Sequence, residues 1–144
     1  FVPITQPEFD FIAEDIKAIA DKRLLLFAEI EGRTVGFAVV LLDYNYIFRQ
    51  MNGYLLPFNW IKMFTQKKNI EWCRIQSLGI LPEYQRKGID ALLYYEIAKR
   101  CAEIGLKYGE ASWILEHNTM MNRASQLMDG QVYRKWRIWQ KPVD

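Results

Sequence analysis

The stretch "LGILPEYQRKGIDALLYYEIAKRC", Leu78 to Cys101, constrains this chain more than any other. Strand-forming apolar residues run into Pro82, a basic turn with one glycine follows, and the pattern then becomes helical. A strand that passes to a helix through so short a turn belongs to an α/β or α+β layer. It also sets up a particular chemistry. The first turn of a helix leaves backbone N–H groups unpaired and carries partial positive charge. A loop entering through Gly88 brings those amides close to an anion, and phosphate is the usual one. Arg86 and Lys87 add charge at the same place. A plain strand–helix connection has the same outline, so the rest of the chain must decide.

Residues 7–21, "PEFDFIAEDIKAIAD", repeat apolar side chains at Phe9, Ile12, Ile16 and Ile19, which predicts a helix. "RLLLFAEIEGRTVGFAVVLLD" predicts two strands around a turn at Glu31-Gly32, the second buried on both faces. Residues 44–70 then break the pattern with aromatics, Met and basic residues, and with stops at Asn52-Gly53 and Pro57. They read as an insertion with one or two short helices, Phe58 to Gln66 being the better defined. Its role stays open between a lid over the core, a pocket wall for an apolar acceptor, and a basic amphipathic patch that touches membranes. A strand follows over Glu71–Leu81, then a helix from Gly88 to Leu106 with Ile89, Leu92, Leu93, Ile97, Cys101 and Ile104 on one side. "EASWILEH" predicts a short buried strand, Asn118 to Met128 a helix capped by Asn118, and "VYRKWRIWQK" a closing strand. That last strand is either covered on one side or a homodimer surface.

The expected fold is therefore a mixed, mostly antiparallel sheet flanked by helices, in one domain over residues 1–144. Its 144 residues suffice for a single core, and 51% hydrophobic against 25% charged residues argues for a globular chain. A net charge of +2 with no basic stripe argues against nucleic acid as partner. One His and two separated cysteines, Cys73 and Cys101, cannot build a usual zinc site, so no metal is expected. The cysteines read as buried free thiols, which fits a reducing cytoplasm. No apolar run spans a bilayer, and the start at Phe1 without Met reads as an N-terminally truncated fragment.

Gln85, Gly88 and Asp90 occupy the core of a Q/R-x-x-G-x-G/A pattern, with Ile80, Pro82 and Tyr84 ahead of it. With strands before the turn and a strand–helix–strand after it, the chain resembles the GNAT superfamily of acyl-CoA-dependent N-acyltransferases. "EHNTMMNRASQLMDG" resembles that family's later segment, a strand-end Asn followed by a helix and a turn. More narrowly, the chain looks like the acyltransferase-like domain of larger bacterial proteins of poorly defined function.

The resemblance implies acetyl-CoA or another acyl-CoA as co-substrate and a small-molecule or peptide amine as acceptor. It implies that amides of Gln85, Arg86, Lys87, Gly88, Ile89 and Asp90 hold the coenzyme pyrophosphate. It implies that the edge at Leu78, Gly79 and Ile80 pairs with the pantetheine arm, with the Leu78 amide facing the thioester carbonyl. Gly79 is expected to form a bulge that splays this strand from the next. Asn118 falls near the pantetheine or the cysteamine end.

Three positions depart from the family pattern. Asp90 stands where the family prefers Gly or Ala, and its carboxylate repels a pyrophosphate within a Debye length. Ser125 stands where many members carry a tyrosine that protonates the leaving thiolate, so Tyr133 or a water would substitute. Arg74 stands where some members carry a glutamate that acts as the catalytic base, which leaves Glu71, Glu116 and His117 as candidates. The leading expectation is an N-acyltransferase; the second is a non-catalytic acyl-CoA-binding or interaction domain. A third, transfer of an aminoacyl group from tRNA, fits poorly with the charge.

Overall fold

The computed structural model describes residues 4–54 and 56–141. The chain divides into two compact units, one ending at Ser112 and one beginning at Trp113. In the first unit, helix α1 spans Gln6–Ile19 and starts on a capping box in which the Thr5 amide donates to the Glu8 carboxylate at 2.8 Å. Those bonds hold the Glu8 carboxyl below its ordinary range. The predicted apolar stripe is present, yet none of its residues is buried, and Phe9, Phe11 and Ile12 are exposed.

After α1, Asp21 caps a single 3-10 turn over Lys22–Leu24. Its carboxylate accepts from the Arg23 guanidinium at 2.8 Å, which brings its pKa down to about 2. Lys67, from the insertion, lies 3.9 Å from the same carboxylate.

Strands β1 (Leu25–Ile30) and β2 (Arg33–Leu42) form the expected hairpin. Strand β3 covers Trp72–Ile80 and β4 covers Tyr108–Ala111, giving a four-stranded sheet in the order β1-β2-β3-β4. The first two pairings are antiparallel and the last is parallel. Helix α4 (Ile89–Glu103) packs across β1, β2 and β3. Leu26, Ala38 and Val40 from the sheet and Leu93, Ile97 and Cys101 from α4 are all buried. Full burial of one such aliphatic side chain stabilises by about 2 kcal/mol.

Several expectations need correction here. Strand β2 is not buried on both faces: Ala38, Val40 and Leu42 are buried, while Phe37, on the opposite face of the pleat, is exposed. On α4, Leu92 points to solvent at 68% exposure, and Tyr94 is buried instead. The strand expected at "EASWILEH" begins earlier and ends at Ala111, so Glu116 and His117 sit in a turn and not on a strand. The bulge expected at Gly79 lies elsewhere. Val39 pairs with Ser77 and Val40 with Ile75, so the extra residue is Gln76. Gly79 pairs with Phe37, and a Cβ there would come within 2.8 Å of the Phe37 ring. Glycine is needed at that position to admit the ring.

The insertion holds two short helices, α2 (Asn45–Gln50) and α3 (Trp60–Thr65), and α3 falls within the expected Phe58–Gln66 segment. Cys73 and Cys101 are buried free thiols, with sulfurs 3.6 Å apart across the β3–α4 contact. The adjoining Cys101 sulfur and burial together push the Cys73 thiol up.

In the second unit, α5 spans Thr119–Leu127, and the Asn118 side chain accepts from the Met121 amide at 3.2 Å, as the sequence predicts. The helix closes with the Gly130 amide donating to the Ser125 carbonyl at 2.8 Å. The closing strand over 132–141 does not form. Those residues join no strand ladder, and Tyr133, Trp136, Ile138 and Trp139 are all exposed. Alternation alone does not make a strand: a ladder partner must take its N–H and C=O groups, and the described residues offer none.

Candidate functional site

The site grows out of β3. Its first half, Trp72 to Ile75, is paired on both edges, with β2 on one side and with Tyr108–Ala111 of β4 on the other. At Gln76 the strand bulges, and from there to Ile80 it keeps β2 but has no pairing with β4. The splay thus starts where the extra residue sits.

Which amides face the open edge follows from alternation. The Leu81 amide donates to the Val35 carbonyl of β2 at 2.9 Å. Stepping back by single residues, Ile80 and Leu78 turn their backbone groups away from β2, and Gly79 turns toward it. The Ile80 carbonyl confirms this by accepting from the Gln85 side chain at 3.2 Å.

The chain then turns through a 3-10 turn at Pro82–Tyr84 and enters α4. Arg86 and Gly88 both have positive φ, 62° and 80°. Gly88 is the N-cap residue of α4 with no side chain to fill the cap, so the first-turn amides face outward from an exposed loop. Gln85, Arg86, Lys87 and Gly88 are all exposed, while Ile89 is buried and anchors the helix start.

The charges around this turn are arranged rather than scattered. Glu83 is paired with Arg33 at 3.0 Å, which neutralises one nearby carboxylate. The Lys87 ammonium lies 4.8 Å from the Tyr84 ring centroid, with the Arg33 guanidinium 5.8 Å from the same ring. Asp90 is in the first turn of α4 and contributes to raising the Tyr94 phenol, second to burial. The remaining cation, Arg86, makes no ion pair among the described residues.

The structure therefore gathers Leu78, Gly79, Ile80, Gln85, Arg86, Lys87, Gly88, Ile89 and Asp90 into one strand–loop–helix element. Arg74 lies on the paired half, bound to Glu110 of β4 at 3.2 Å. Glu71 pairs with Lys107. The other candidates belong to the second unit. Asn118 caps α5, and the Ser125 hydroxyl is buried without a hydrogen-bond partner among the described residues. Glu116 is exposed and paired with Arg137 at 2.9 Å, and Tyr133 lies under the Arg134 guanidinium. Sequence reasoning missed the Arg33–Glu83 pair and the bulge at Gln76. The bulge had a signal: apolar alternation runs Cys73, Ile75, then slips one place to Leu78, Ile80.

A cavity of about 540 Å³ lies at the far end of β3, lined among others by Asp43, Tyr46, Asn69, Glu71 and Trp72. Eight residues of strand separate Trp72 from Ile80, roughly 25 Å. That cavity is not part of the α4 turn.

The family model of the Acetyltransferase (GNAT) family matches residues 2–124. The bacterial ceramide synthase of Caulobacter vibrioides (strain NA1000 / CB15N) is 29% identical, over 99% of this chain and 39% of its own length. Protein YghO of Escherichia coli (strain K12) is 31% identical, over 99% of this chain and 38% of its own. The chain thus spans about two fifths of the length of these relatives. Among solved structures, the aminoglycoside acetyltransferase AAC(6')-Iy in complex with the bisubstrate analog CoA-S-monomethyl-acetylneamine superposes with a TM-score of 0.61 at 16% identity, covering 93% of this chain and 80% of that one. The aminoglycoside 6'-N-acetyltransferase AAC(6')-Ih from Acinetobacter baumannii gives 0.61 at 15% identity, covering 99% and 85%. At these identities the likeness is one of fold.

Proposed function

We propose, from the premise that this chain belongs to the Acetyltransferase (GNAT) family, that it transfers an acyl group from acyl-CoA to an amine. The observation that carries this reading is the open half of β3, which ends beside the uncapped N-terminus of α4. An extended arm with amide groups can add to that edge as a further strand does. A pyrophosphate suits first-turn amides and the Arg86 charge at the other end of the same element.

The acyl-CoA supplies the activated thioester. The chain's own residues do the rest. Leu78 and Ile80 offer backbone groups to the pantetheine arm, and the Leu78 amide donates to oxygen where negative charge develops on the carbonyl. The amides of Gln85 to Asp90 fix the phosphates, so that the acceptor nitrogen meets the carbonyl by positioning. Asn118, and the proton-transfer candidates Glu116, Ser125 and Tyr133, keep their assignments on family resemblance alone. For the acceptor, the name of the ceramide synthase relative and the aromatic insertion support an amine that carries an apolar chain.

The second reading is a domain that binds acyl-CoA without turnover. It is favoured by Asp90 in the anion-binding turn and by a serine at position 125. Calorimetric titration with acetyl-CoA and desulfo-CoA tests the shared claim, beside an Asp90→Gly variant. Micromolar binding by the unsubstituted chain is the expected result. Binding by Asp90→Gly alone would mean that the site has lost its ligand, and binding by neither would remove both readings. If binding holds, release of free thiol from acyl-CoA in the presence of a long-chain amine separates enzyme from binder.

A further inference from the structure

The insertion between β2 and β3 is the most one-sided part of the sequence. Residues 44–69 contain Arg49, Lys62, Lys67 and Lys68 and no Asp or Glu. The whole chain has 19 basic and 17 acidic side chains, so without this segment it would be net acidic. The same residues hold the densest run of exposed aromatic and aliphatic side chains in the first unit. Tyr54, Leu56, Phe58 and Phe64 are 72% to 77% exposed, and Phe48 and Trp60 are about half exposed.

This apolar surface is built and held. Ile47 and Met51 are buried and fix α2 to the core. The Asn59 side chain donates to the Tyr54 carbonyl at 2.8 Å, and the Trp60 indole donates to the Pro57 carbonyl at 3.0 Å. Lys62 reaches back from α3 to the Gln50 carbonyl at the end of α2, at 2.8 Å. The inner side is thus spent on packing and hydrogen bonds, and the aromatic side is left facing outward.

We propose that this insertion docks on an anionic lipid surface, with its aromatic side in the headgroup region and its basic residues against the phosphates. Trp and Tyr favour the boundary between hydrocarbon and water, and a cationic fringe around an apolar face is how monotopic segments hold to membranes. Charge decides between occupants. A second copy seated on the same patch would bring two sets of four cations together, whereas an anionic bilayer complements them. Lys67 is partly offset by Asp21 at 3.9 Å and Lys62 is held by the Gln50 carbonyl, so the exposed Arg49 and Lys68 carry most of the attraction. The proposal is independent of coenzyme binding, because α4's turn and this insertion are separate elements.

Co-sedimentation of the whole chain with phosphatidylcholine vesicles, with and without phosphatidylglycerol, tests it. Binding is expected only with the anionic lipid and weakens as salt is raised. Arg49→Gln with Lys68→Gln should weaken it about 25-fold, at roughly fivefold per charge. Phe58→Ser with Phe64→Ser should weaken it by at least about tenfold, since both rings would otherwise leave water. Circular dichroism confirms that each variant is folded. Quenching of Trp60 by brominated lipid, absent in Trp60→Phe, reads the contact directly in the unsubstituted chain. Failure to sediment with anionic vesicles overturns the proposal, and so does binding by both double variants as tight as that of the unsubstituted chain. Concentration-dependent dimerisation lost in the Phe variants, with no vesicle binding, would assign the patch to a second copy and also overturn it.

Discussion

The two halves of β3 share one strand and differ in what lies beside them. Trp72 to Ile75 is clasped between β2 and β4 and rests on α4 through the buried Cys73. Gln76 to Ile80 has β2 alone, half-exposed side chains beyond the bulge, and an edge on which the Leu78 backbone groups and the Ile80 amide have no strand partner among the described residues, the Ile80 carbonyl being taken by Gln85. The lesson is a division of labour along a single strand. Backbone groups paired on both sides contribute to the fold, while those paired on one side are available for recognition. One inserted residue, Gln76, separates the two.

If that division is real, substitutions on the two sides should separate stability from binding. The largest effect is expected at Ile97, buried on α4 against the sheet. Ile97→Ala should cost about 2–4 kcal/mol in urea unfolding, and desulfo-CoA affinity measured on the folded fraction should be unchanged. A linked loss of affinity would break the comparison.

Asp21 comes next. Its folded pKa of about 2 lies below the ordinary 3.8, so its contribution is present above about pH 4 and fades as pH falls toward 2. With its side chain 12% accessible, the contribution is about 1–2 kcal/mol. In Asp21→Asn that slope of stability against pH should vanish, again without change in coenzyme affinity at neutral pH.

On the binding side the pattern should invert. Deletion of Gln76 removes the extra residue and lets the parallel ladder run on past Ile75. Desulfo-CoA affinity should then fall at least about tenfold, or 1.4 kcal/mol, with Tm barely moved. Gly88→Ala should cost less stability than the change at Ile97. The Gly88 φ of 80° strains an alanine by about 1 kcal/mol, although no atom lies in the way of the new methyl. Affinity should drop with it, since the N-cap amides lose their approach to the phosphate.

Much of this frame was readable in the residues. The β1–β2 hairpin, β3, α4 and the Asn118-capped α5 announce themselves because their signals are local: pattern, turn and cap within a few residues. What failed depended on partners distant in sequence. "VYRKWRIWQK" alternates as well as any strand here, yet no described neighbour pairs with it. Helix α1 has an apolar stripe of which no residue is buried among the described residues. Cys73 and Cys101 are buried free thiols as the sequence predicts, but their approach to 3.6 Å across 28 residues of chain carries no local signal. The glycine turn of the candidate site was legible because phosphate-type sites use backbone geometry that Gly88 permits. The stretch of β3 without β4 runs from Gln76 to Ile80, and the slipped alternation at Gln76-Ser77 is a better clue to its cause than Gly79.

The most direct test of the account follows single backbone amides by hydrogen exchange, with and without saturating desulfo-CoA. Leu78, Ile80 and the first-turn amides of α4 should slow by about tenfold or more, while Gly79 and Trp72 to Ile75, already paired, should not change. Unchanged exchange at Leu78 and Ile80, or slowing confined to the Trp72 end of β3, would contradict the claim that the unpaired half of this strand is where the ligand binds.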